Sequence, residues 1–82
     1  LTLRNTPVLV SPGGVAGLRF GDEAEAINAA LPRLKAQGAA AVVVLIHEGG
    51  RPRPGSGPSD CEGLTGDITG ILDRLTPGVD VV

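Results

Sequence analysis

Ala39-Ala40-Ala41-Val42-Val43-Val44-Leu45-Ile46-His47 is the stretch on which the reading of this chain turns. It holds eight consecutive apolar residues, four of them β-branched, between Gly38 and His47. A run this short and this rich in Val and Ile predicts a strand buried on both faces, as in a parallel sheet covered by helices. His47 then stands at the carboxyl end of that strand, where open α/β sheets bind their ligands.

The residues before the run predict a helix over Asp22–Gln37. Asp22 is placed to cap it, with Glu25 three residues later in capping-box spacing. Ala24, Ile27, Leu31 and Leu34 recur at helical spacing and form one apolar face. Gly38 suits the left-handed position just past the end. Pro32 deprives the Asn28 carbonyl of its partner, at about 3 kcal/mol, and predicts a kink or two shorter pieces. A helix joined to a strand by a short link is half of a βαβ unit.

Further upstream, Leu1 to Arg4 reads as the tail of a strand, broken at Asn5-Thr6-Pro7. Val8-Leu9-Val10 is a short apolar run closed by Ser11-Pro12-Gly13-Gly14, and Val15 to Phe20 reads as a short extended piece. Downstream, Gly49 to Asp60 is a Gly/Pro/Ser-rich loop carrying Arg51 and Arg53. Loops of this length are usually functional or disordered. Ile68, Ile71, Leu72 and Leu75 mark a second helix over Asp67–Leu75, weakened by Gly70 and ended by Thr76-Pro77-Gly78. Val79-Asp80-Val81-Val82 begins another strand. The expected fold class is therefore α/β, built from helix–strand–helix–strand units.

Eighty-two residues make one small domain at most. One cysteine, Cys61, excludes an internal disulfide, and a single Phe20 with no Trp, Tyr or Met leaves a thin core of Val, Leu, Ile and Ala. The net charge is −2 and the seven basic residues are scattered, which argues against binding a nucleic-acid polymer. No apolar run reaches the 18 residues of a membrane span, and no signal peptide is visible. The start at Leu1 without Met, and a last strand of only four residues, lead to the expectation of a piece cut from a larger domain.

Chemistry concentrates at His47, the only histidine. Imidazole is the commonest metal ligand. Position alone leaves two readings: a ligand, or a ring packed at a sheet edge with its nitrogens on backbone groups. Glu48 is adjacent, but alternation points it away from His47, and a solvated or structural role is the simpler one. Asp60, Glu62 and Asp67 flank Cys61 at a spacing that fits no metal pattern, so turn and capping roles are expected for the two aspartates. Ser11-Pro-Gly-Gly-Val-Ala-Gly17 lacks the Gly-Lys-Ser/Thr of a P-loop and reads as a turn. Arg51 and Arg53, in a Pro-rich loop, read as solvated.

Read in order, Asn5-Thr-Pro, Ser11-Pro-Gly-Gly-Val-Ala-Gly-Leu-Arg-Phe20, Asp22-Glu-Ala-Glu-Ala-Ile-Asn28, Val42-Val-Val-Leu-Ile-His-Glu-Gly-Gly50, Asp60-Cys-Glu-Gly-Leu-Thr-Gly-Asp-Ile68 and Thr76-Pro-Gly-Val-Asp-Val-Val82 resemble the 5′-nucleotidase and 2′,3′-cyclic-nucleotide phosphodiesterase family. That family belongs to the calcineurin-like metallophosphoesterases. The strand ending in His-Glu-Gly-Gly is the most specific element. The resemblance implies an α/β sandwich holding two divalent metal ions, with residues 1–82 as a C-terminal part of the catalytic domain, truncated at both ends.

On the same footing, His47 is one metal ligand, and the Asp-x-His, Gly-Asp, Asn-His-Glu/Asp and Gly-His-x-His/Gln ligand motifs lie outside these residues. The implied activity is hydrolysis of nucleotide phosphate esters, in which the metals polarise phosphate oxygens and activate a bridging water. The chain alone is then inactive. The resemblance also implies a secreted, periplasmic or cell-surface protein, and a partner outside these residues for Cys61. Sheet edges left open by missing strands would favour self-association. The competing reading is a small non-enzymatic α/β interaction or structural module, with His47 structural.

Overall fold

A computed structural model describes all 82 residues, Leu1–Val82. In chain order the elements are α1 (Thr6–Leu9), a 3-10 turn (Pro12–Val15), α2 (Glu23–Ala36) and α3 (Asp67–Leu72).

α2 forms as its sequence dictates. The Asp22 carboxylate accepts from the Glu25 amide at 3.0 Å, and Glu23 and Glu25 occupy the first turn, where the helix dipole favours negative charge. Arg33 and Lys35 sit in the last turn, where it favours positive charge. Gly38, at φ 91°, closes the helix: its amide bonds to Lys35 O and the Ala39 amide to Leu34 O. That pair is the Schellman arrangement. Pro32 lies on the exposed side and the helix runs through it without interruption, so the expected division into two pieces does not occur.

The expected α/β architecture is not what forms. The chain has three helices and no strand or sheet. Residues 42–46 are extended, but their pairing with the C-terminal segment is a single parallel bridge, Val43 with Val81. Val44 N–H donates to Val81 O at 2.8 Å, and the Val81 amide reaches Val42 O at 3.4 Å. The ladder stops there because Val42 N–H is taken by the Asp80 side chain at 2.7 Å, not by a backbone carbonyl. On the other edge, Leu45 O accepts from the Leu1 amino group, and this is the sole backbone link to that segment.

Burial is one-sided for the same reason. Val42 and Val44 are buried and Ile46 is half-buried, whereas Val43 and Leu45 are 58% and 80% exposed. The expectation of a strand covered on both faces therefore fails. The N-terminal pieces differ as well. Thr6–Leu9 is a single helical turn with Pro7 in its first turn, which needs no donor there. Ser11 to Gly14 turns as expected, as part of a 3-10 turn over Pro12–Val15 that also takes in Val15, the first residue of the expected extended piece.

The core sits between the buried side of residues 42–46 and the two longer helices. Ala24 and Ile27 of α2, Ile71 of α3 and Val44 form its centre, with Ile46, Leu75 and Val79 packed around them. Asn28 fastens α2 to the end of α3. Its Nδ2 donates to Arg74 O at 2.8 Å, and its Oδ1 accepts from the Thr76 amide at 2.9 Å. α3 itself ends at Leu72, three residues before the predicted end, and passes into a turn at Asp73 and Arg74.

Two glycines let the end of the apolar segment meet the start of α3. A Cβ on Gly50 would lie 2.7 Å from Thr65 O, and one on Gly66 would lie 2.9 Å from Gly49 O. Gly66 also has φ 123° and ψ 174°, a region open in practice to glycine alone. Gly66→Ala is therefore expected to cost about 1–3 kcal/mol from backbone conformation alone. Gly13→Ala, where a Cβ meets nothing, is expected to stay within about 0.5 kcal/mol. Urea unfolding of the two variants checks this, and equal midpoints would refute it.

Candidate functional site

Two concave regions carry the polar chemistry, and they lie on opposite sides of residues 46–48. The larger is a groove of about 650 Å³ where Arg4, Asp22, Glu23 and Glu48 face Asp67, Thr69 and Arg74 of the α3 region. The smaller, of about 500 Å³, is lined by His47 together with Leu1, Thr2, Leu3, Thr6, Leu9 and Val10. Glu48 and His47 thus face different cavities, as alternation along an extended segment requires.

The groove is organised on Asp22. Arg74 Nη1 lies 2.7 Å from Asp22 Oδ2, and Arg4 Nη1 lies 3.9 Å from the same oxygen. The Glu25 amide, followed by the Arg74 hydrogen bond, holds the Asp22 carboxyl below its ordinary value of 3.8. The same hydrogen bond raises the Arg74 guanidinium further above its ordinary value. Glu23, 7% exposed, accepts from the Arg4 amide, so both carboxylates behind the groove have donors. With Glu48 and Asp67 added, four carboxylates face two guanidiniums, a formal sum of −2. Of the two guanidiniums, Arg74 is hydrogen-bonded to Asp22, while Arg4 stands at the longer distance and is mostly exposed. Thr69 is the one hydroxyl in the groove, and its Oγ1 donates to Gly66 O at 2.7 Å.

His47 is exposed, and its ring nitrogens make no hydrogen bond within the chain. No group of three or more His, Cys, Asp or Glu is placed so that it could hold a metal ion. The residues present therefore offer a divalent metal one imidazole and do not by themselves make up a metal site.

The remaining predicted positions are scattered. Asp60 Oδ1 accepts from the Glu62 amide at 2.9 Å, the turn role expected of it. Arg53 pairs with Glu62 at 2.8 Å, with both side chains mostly exposed. Such a pair contributes about 0.2–1 kcal/mol at most. Backbone bonds between Arg51 and Thr65, at 2.7 and 2.9 Å, tie off the loop that carries them. Cys61 is exposed and unpaired. Sequence reasoning found Asp22 as a cap but missed the cluster it anchors. Arg4, Asp22 and Arg74 are far apart along the chain, and no periodicity links them.

No family profile matches the chain, and no solved structure matches it either. Among characterised proteins it is similar to Endonuclease YhcR of Bacillus subtilis (strain 168), at 30% identity over 74 residues. That alignment covers 90% of this chain and 6% of the relative, so the chain spans a small fraction of that protein's length. No helix is long and apolar enough to cross a membrane.

The pH dependence of stability follows from Asp22. Its folded pKa is depressed, so its contribution is fully present above the unfolded value and is lost as pH falls through the folded one. Asn caps helices as well as Asp but carries no charge. Asp22→Asn is therefore expected to flatten the loss of stability below about pH 4, where free carboxylates take up protons. Unfolding midpoints measured between neutral and strongly acidic pH test this, and parallel curves for the two proteins would refute it.

Proposed function

We propose that this chain is part of a metal-dependent phosphoesterase acting on nucleotide phosphate esters, and that His47 gives one nitrogen ligand to its metal centre. The observation that carries the reading is the similarity, along nine-tenths of the chain, to a protein named as an endonuclease. An endonuclease breaks phosphodiester links between nucleotides, so the shared chemistry is the nucleotide phosphate ester, free or within a strand. The ordered family resemblance gives the same reaction class, and with it a location outside the cytoplasm.

The state of His47 supports its role. An exposed imidazole whose nitrogens are not engaged in hydrogen bonds is free to coordinate in its neutral form. The other ligands belong, on this reading, to parts of a longer polypeptide, and no catalytic step is assigned to these 82 residues. Residues 1–82 then form a contributing segment of a catalytic domain.

Substitution in the polypeptide that carries this segment tests the assignment. His47→Ala is expected to lower hydrolysis of a phosphodiester, a nucleoside monophosphate and DNA by at least two to three orders of magnitude, in line with loss of a metal-centre ligand. Metal content by mass spectrometry falls with it. Unchanged activity and metal content would remove His47 from the centre. The 82-residue chain on its own is expected to turn over none of the three substrates, and metal-dependent turnover by it would contradict the reading.

A further inference from the structure

Glu23 is the one charged or polar residue that the chain buries. A carboxylate taken out of water is costly unless it is paired or hydrogen-bonded. Its place in the first turn of α2 offsets part of that cost, because the helix dipole favours negative charge there. Its hydrogen-bond partner is not on the helix. Glu23 Oε1 accepts from the backbone amide of Arg4, 19 residues upstream. The Arg4 guanidinium adds a looser contact to the neighbouring Asp22, at 3.9 Å.

That bond has a single companion. Residues 1–21 are joined to the rest of the chain by two hydrogen bonds, Arg4 N–H to Glu23 and the Leu1 amino group to Leu45 O. Their other bonds are local: the Thr6 amide and hydroxyl both donate to Leu3 O, and the Val8 amide donates to Asn5 O. The same residues form the wall of the His47 cavity, with Leu3, Thr6 and Leu9 lining it. The His47 ring makes no hydrogen bond within the chain. The wall that faces it is therefore the part of this chain that limits its rotamers.

We infer, on the phosphoesterase reading above, that Glu23 is a positioning residue for the metal centre. Its carboxylate, through the Arg4 amide, holds the wall formed by residues 1–10 beside His47 and so keeps the imidazole in a metal-binding orientation. Glu23 itself touches neither metal nor substrate. A ligand whose rotamer is set before the metal arrives loses less freedom on binding, and the anchor acts on that term.

The polypeptide that carries this segment serves for the test, with Zn²⁺ affinity read by competition with a chelator and amide exchange read in parallel. Glu23→Ala is expected to weaken Zn²⁺ binding about tenfold or more, the range seen when a group that orients a metal ligand is lost, and to speed exchange of the Thr6 and Val8 amides. Glu23→Gln keeps the accepting oxygen and is expected to retain the native affinity. Asn28→Ala removes a different α2 link, to Arg74 and Thr76, that involves none of residues 1–10. It is expected to lower stability and leave Zn²⁺ binding unchanged. Native affinity or unaltered Thr6 and Val8 exchange in Glu23→Ala overturns the assignment. So does a Glu23→Gln variant as weak as Glu23→Ala, or an Asn28→Ala variant that loses affinity to the same degree. Zn²⁺ affinity unchanged by His47→Ala sinks the metal reading itself, whereas affinity lost in His47→Ala and kept in Glu23→Ala sinks only the role of Glu23.

Discussion

Val44 lies against Ala24, Ile27 and Ile71, and this contact makes one body of the chain. α2 is locally competent, with its own cap, dipole-matched ends and C-terminal closure. α3 has six residues and a glycine as N-cap, with no side-chain cap bond. An isolated helix of that length is not stable in water, so its formation depends on Ile68 and Ile71 being buried. Those side chains have a surface to meet because residues 42–46 cross between the helices with even-numbered side chains inward. The Asn28 bridge and the Gly50–Gly66 approach then fix how the two helices sit, by satisfying polar groups and by removing side chains where backbones meet.

The helices were legible in the sequence and the pairing of extended segments was not, for one reason in each case. α2 announces itself locally. Asp22, Glu25 and Gly38 are end signals, and Ala24, Ile27, Leu31 and Leu34 give the period. Val42 to Ile46 announces only that it is extended and apolar. Continuous hydrophobicity was read as burial on two sides, but a covered second face needs neighbours, and neighbours are not written in a run of valines. Asp80 shows the limit most clearly. Val79-Asp80-Val81-Val82 was read as the start of a strand, yet the Asp80 carboxylate takes the Val42 amide and ends the ladder after one bridge.

The candidate site was legible in part. His47 was singled out by its position after the apolar run, and the structure leaves its nitrogens uncommitted. That it has no carboxylate or thiol neighbours within the chain is a tertiary fact, set by which residues the Thr6–Leu9 turn brings beside it. The Asp22 cluster was hidden for the opposite reason. Each member had a local place: Asp22 as a cap, Arg74 inside the second predicted helix, Arg4 at the end of an N-terminal extended piece. Only the packing of α3 on α2 makes them one network.

Alternation along residues 42–48 joins these observations. Val42, Val44 and Ile46 face the helices, and Glu48, next in that series, opens into the charged groove. Val43 and Leu45 face outward, and His47 follows them on that side, next to Leu1 and Leu3. The polar groove is thus an extension of the core side, already enclosed by α2 and α3 and electrostatically settled around Asp22. The histidine belongs to the side that this chain leaves uncovered. Burial of apolar area is worth roughly 25 cal/mol per Å², so Val43 and Leu45 make this the face on which burial has most left to gain. The imidazole and the uncovered apolar side chains therefore share one face, and the Asp22 groove continues the other.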